Sequence, residues 1–177
     1  MLSEIVYFDK TGKENTRETL DVVKKKALQL GIKKVLIAST TGYTALCAAE
    51  AFQSTGVDIV AVGIDTYGWS QEEAKRKELE SKGIRLVPCS IYFNDEVSNI
   101  LRCFSQGVKV AVEIAVMAAE AGAVQESDRV IAVAGTGFGA DTSLLLKPAR
   151  KRTINKLEIY KILCMPGKSG IELGGRL

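Results

Sequence analysis

Two stretches rich in hydroxyls and glycine carry the residue types that could do chemistry. Ser39-Thr40-Thr41-Gly42-Tyr43-Thr44 follows the apolar run KVLIA and leads straight into a helical pattern. Hydroxyls, a glycine that admits close backbone approach and the N–H groups of a starting helix together suit a phosphate oxygen. The same residues also suit a plain helix cap, so both readings stand. Gly135-Thr136-Gly137-Phe138-Gly139-Ala140-Asp141 follows the run RVIAVA. Its G-x-G-x-x-A spacing fits a dinucleotide fingerprint, but that motif needs a helix next, and TSLLLK before Pro148 reads as extended. A glycine-rich hairpin lining a site is the favoured reading, with a simple turn beside it. Asp141 either accepts N–H bonds inside that loop or holds a ligand hydroxyl.

Two further loops, Asp9-Lys10-Thr11-Gly12-Lys13 and Asp65-Thr66-Tyr67-Gly68-Trp69, also follow apolar runs and offer hydroxyls and glycine. Thr66 joins the candidate ligand set on that ground. Tyr43, Tyr67, Trp69 and Phe138 bring aromatics close to the glycines, suited to stacking on a planar ring or to local packing. Glu113 interrupts the apolar run VKVAVEIAVMAAEA as a candidate ligand-facing carboxylate. Lys109 lies four residues earlier, so a surface ion pair is the default expectation.

Composition removes other chemistry. The 177 residues include no histidine, which excludes His-assisted nucleophiles, His-ligated metals and imidazole pH switches. Four cysteines, Cys47, Cys89, Cys103 and Cys164, form no C-x-x-C pair and read as buried thiols rather than zinc or redox centres. The net charge of +3 is local, because residues 142–157 hold Lys147, Arg150, Lys151, Arg152 and Lys156 without one acid. A solvated basic loop is expected there, in preference to a nucleic-acid surface. No apolar stretch reaches the roughly 20 residues of a membrane span, and no leader pattern opens the sequence, so a cytoplasmic protein is expected.

The elements that must position these loops alternate between β-branched runs and helical patterns, the sign of βαβ construction. Strands are expected near 4–8, 34–38, 58–64, 84–88, 129–134, 142–147 and 158–165, with helices near 15–31, 42–55, 70–83 and 108–121. Asn15 with Glu18 and Ser70 with Glu73 read as capping boxes. Residues 89–107 give no decisive pattern. The whole predicts one α/β domain over residues 1–177, a three-layer sandwich around a mostly parallel sheet with an antiparallel edge, and ligand contacts beyond the carboxyl ends of the strands.

The segments ENTRETLDVVKKKALQLGIKKVLIASTTGYTALCAAEAFQSTGVDIVAVG and DRVIAVAGTGFGADTSLLLKPA resemble the carboxyl-terminal alpha/beta domain of pyruvate kinases. YFDKTGKENT, VKVAVEIAVMAAEAG and KILCMPG extend the resemblance to small archaeal and bacterial proteins described as pyruvate kinase alpha/beta domain-like. In the kinases the loop matching residues 39–44 holds a phosphate of a regulatory sugar bisphosphate; Tyr43 stands where many of them have arginine. For the small proteins the resemblance implies flavin mononucleotide (FMN) as ligand, and it implies no reaction. Pyruvate kinase turnover is not expected, since no catalytic barrel fits in this length. The leading expectation is a module that binds a phosphorylated small molecule. A flavin-dependent or phosphate-handling enzyme using Glu113 or Asp141, and a subunit of a homo-oligomer or larger assembly, are the alternatives.

Overall fold

Strands buried on both faces need apolar side chains at every position, and the residues of KVLIA sort accordingly. Val35 and Ile37 enter one core while Leu36 enters the other. The computed structural model describes residues 4–90 and 93–167. In chain order the elements are β1 (Val6–Phe8), α1 (Thr16–Leu30), β2 (Lys34–Ala38), α2 (Tyr43–Ala51), β3 (Asp58–Ile64), α3 (Glu73–Ser81), β4 (Arg85–Cys89), α4 (Asp95–Arg102), α5 (Gln106–Glu120), β5 (Val130–Ala134), β6 (Thr142–Lys147) and β7 (Glu158–Pro166). Short 3-10 turns span Lys13–Asn15, Gly68–Gln71 and Lys151–Lys156.

The seven strands form one sheet in the order β1-β7-β6-β5-β2-β3-β4. Within the antiparallel part only β6 runs against its neighbours, since β5–β6 and β6–β7 are antiparallel and β1–β7 is parallel. One core packs α1, α2 and α3 on the sheet through Leu20, Val23, Ala45, Ala48 and Leu79. The other packs α5 through Val108, Ala111, Ala115 and Ala118. This is the expected three-layer α/β sandwich. Small residues on α5 let the helix lie close to the sheet, which is why a valine- and alanine-rich run forms a buried helix and not a strand.

Several local expectations are corrected. Asn15 precedes α1 but makes no side-chain cap; its amide donates to the Lys10 carbonyl at 2.8 Å instead. Ser70 does not cap α3. It lies in a 3-10 turn and donates to the Ile64 and Tyr67 carbonyls, while α3 begins three residues later at Glu73. The undecided segment holds α4, opened by Asn94, whose side chain accepts from Val97 N. Of the cysteines only Cys89 and Cys164 are buried; Cys47 is half-buried and Cys103 exposed. Burial pushes both buried thiols above their ordinary range, aided at Cys89 by the nearby Asp65 charge. The basic segment is met by acids from elsewhere in the chain. Glu158 pairs with Lys147 at 2.9 Å, and Glu126 accepts from Arg150 N and from Thr153. Those bonds, Thr153 first, hold the Glu126 carboxyl below its ordinary value.

Candidate functional site

Going from β4 through β3 to β2, the sheet is built in reverse chain order, and β5 then sits on the other side of β2. That reversal makes a switch point between β2 and β5, which run parallel with Leu36 opposite Ala132. The loop leaving β2 runs into α2 on one face, the loop leaving β5 turns back as a hairpin, and α5 packs on the other face, so a crevice opens beyond the carboxyl ends of the two strands. Here it is a cavity of about 440 Å³, within the range of small-molecule sites.

The wall after β2 is the hydroxyl loop. Ser39, Thr40, Thr41 and Thr44 line the cavity. Ser39 is buried and its hydroxyl accepts from Ala45 N at 3.3 Å, inside the first turn of α2, so it also does the work of a cap. Gly42 precedes α2 in a left-handed conformation, φ +88°, and does not itself line the cavity. Replacing Gly42 by valine is expected to weaken phosphate-ligand binding at least tenfold, about 1.4 kcal/mol. A β-branched residue is strained at that φ by about 1–2 kcal/mol, and its Cβ would sit 2.9 Å from Lys75 Cε, so the lysine end must swing aside and the strained backbone favours a shift of the loop. Titration of inorganic phosphate against a variant shown to be folded by circular dichroism checks this; unchanged affinity would move the anion elsewhere.

The loop after β3 supports the hydroxyl loop from beneath. Trp69 is buried; its indole N–H donates to the Ser39 carbonyl, and its backbone N–H to the Thr40 carbonyl at 3.0 Å. At Gly68, φ +72°, a Cβ would fall 2.2 Å from the Thr40 carbonyl oxygen, so only glycine lets the two loops meet. Trp69 is therefore packing and not a stacking surface for a ligand. Tyr67, half exposed, lines the cavity in its place, whereas Thr66 does not.

The opposite wall is the loop after β5. Ala134 pairs with Thr142 across an antiparallel hairpin and no helix follows, which is the hairpin reading and not the dinucleotide one. Gly135, Gly137, Phe138 and Gly139 line the cavity. Thr136 and Asp141 are turned to holding the loop. The fully buried Asp141 carboxylate accepts from Gly12 N at 2.8 Å, Thr136 N at 3.0 Å and the Thr142 hydroxyl at 2.8 Å. Phe138 stacks on Tyr43 with ring centroids 4.9 Å apart, tying this wall to the start of α2, and the Lys13 ammonium lies 5.0 Å from the Tyr43 ring centre. Burial first, then a bond with Cys47, raises the Tyr43 phenol above its ordinary value, so at neutral pH it is an uncharged neighbour of the site.

The third wall is α5, and here the expected surface ion pair is corrected. Lys109 and Glu113 do pair, but both are buried and both line the cavity. Glu113 also accepts from Phe93 N at 3.4 Å. Arg102 and Gln106 line the same side, the guanidinium held by Gln106 at 2.7 Å and Asn99 at 3.0 Å. These two were missed because they lie in the undecided segment. The signal was Ser105, whose hydroxyl accepts from Val108 N and starts α5 before the valines do.

A mixed sheet with a crevice at its switch point, flanked by one hydroxyl loop and one glycine hairpin, defines an α/β domain of the doubly wound kind. More narrowly, the chain belongs to the pyruvate kinase alpha/beta domain family, which it matches over residues 17–146, well over half its length. That span holds both loops and α5 and leaves out β1 and β7. No helix among the described residues is long and apolar enough to cross a membrane.

Proposed function

We propose that this domain binds a phosphorylated small molecule bearing a planar ring, FMN in the first instance, with the phosphate at Ser39, Thr40, Thr41 and Thr44. The observation that carries the reading is the shared cavity, which joins a hydroxyl loop at a helix start to a wall of Phe138 and Tyr67 and an apolar floor of Val110, Ile114 and Met117. One end suits an anion and the middle suits a ring, which is the division a mononucleotide needs. The residues present fit FMN on that count. The proposal is one of binding and assigns no reaction.

Mass spectrometry of ligand released on denaturing the purified protein, followed by titration of FMN into ligand-free protein, tests the proposal. Release of FMN or saturable binding in the micromolar range supports it; the absence of both would refute it. Phe138→Ala is expected to weaken FMN several-fold while inorganic phosphate competes as before, since the ring loses a face and the anion loses nothing. Equal weakening of both would make Phe138 a prop for Tyr43 alone.

A further inference from the structure

A buried ion pair is an expensive wall for a cavity. The Lys109 and Glu113 side chains are 8% and 6% exposed, and withdrawing each charge from water costs several kcal/mol that their mutual attraction often only balances. An apolar pair of similar volume would serve the packing of α5 as well or better. What the ions add is hydrogen-bonding capacity facing the cavity. The ammonium has three donors and the carboxylate about four lone-pair sites. Within the protein these meet in the Lys109–Glu113 bond and the Phe93 N–H bond to Glu113. A donor and an acceptor therefore stand side by side, four residues apart on one helix face.

We infer that Lys109 and Glu113 read a planar –CO–NH– edge of the ligand's ring, the carbonyl accepting from Lys109 and the N–H donating to Glu113. The inference rests on the binding reading above and adds the ring chemistry to it. In FMN the edge is N3–H with its flanking carbonyls. UMP has the same edge on a smaller ring, and CMP lacks it. Apolar Val110, Ile114 and Met117 beside the pair keep water from competing for those bonds.

Calorimetric titration of FMN, N3-methyl-FMN, UMP and CMP into the full chain and into the double variant Lys109→Met/Glu113→Leu decides it. The wild type is expected to bind FMN at least tenfold more tightly than N3-methyl-FMN, and UMP more tightly than CMP; whichever of FMN and UMP binds better identifies the ring. The double variant leaves no charge unpaired and removes only the acceptor of the Phe93 N–H, so it is expected to stay folded, which circular dichroism checks. It should lose the N3 preference while inorganic phosphate binds unchanged. Equal binding of FMN and N3-methyl-FMN by the wild type overturns the inference and leaves the proposed function standing. So does a folded double variant that keeps the preference, or one that loses phosphate, which would give Lys109 to the anion. If the wild type binds no FMN, the proposed ligand fails, and the UMP to CMP ratio still judges the pair.

Discussion

Trp69→Ala is expected to lower the free energy of unfolding by about 3–5 kcal/mol, the usual range for emptying a core of its largest side chain. The indole is 1% exposed and lies beneath the hydroxyl loop, so the loss is a cavity together with the donor to the Ser39 carbonyl. The loop should slacken as well, and phosphate-ligand affinity should fall with stability. Trp69→Phe separates the two effects, since it fills most of the space and lacks the N–H. Its loss should be roughly half as large. Urea unfolding followed by circular dichroism measures all three proteins; a loss below about 1 kcal/mol for the alanine variant would mean that the loops do not depend on this ring.

The second large effect is expected at Asp141. Alanine there leaves the buried N–H of Gly12 and the partly buried N–H of Thr136 without their acceptor, at about 1–3 kcal/mol each. A total of about 2–6 kcal/mol follows. Both N–H groups bond the same carboxylate oxygen, Oδ2, so an asparagine oxygen can take its place while the amide turns to the Thr142 hydroxyl. Asp141→Asn should accordingly recover more than half of the loss. Hydrogen exchange at Thr136 should quicken in the alanine variant and change little in the asparagine one. An alanine variant as stable as the wild type would show that the loop holds itself.

The layered fold was legible because periodicity reports burial. KVLIA, DIVAVGI and RVIAVA are apolar after their first, charged residue, and strands buried on both faces have no other way to read. The two loops were legible because a glycine and hydroxyls at a strand exit are chemical punctuation. What escaped were features set by tertiary neighbours. The spacing of Lys109 and Glu113 shows that they can pair but not which face of α5 carries them, and in the fold both are buried. Asn15 looks like a cap until Lys10 offers a carbonyl within reach. Asp141 could have faced either way, and its direction was decided by Gly12, far away along the chain. Thr66 and Tyr67 are adjacent, and the turn at Gly68–Gln71, which no periodicity announces, chose between them.

The placement of β1 has a consequence for when the crevice can exist. β1 lies at the sheet edge and pairs with β7, Val6 opposite Cys164, and the Gly12 bond to Asp141 spans 129 positions. During synthesis β2, β3 and β4 can collapse with their helices as each emerges, because their partners are near in sequence. β1 emerges before the other described strands and must wait for β7, the last of them. The hydroxyl loop is thus an early structure and the clamp on the glycine hairpin a late one. A ribosome paused before residue 158 would carry a chain with its hydroxyl loop formed and the opposite wall unsecured.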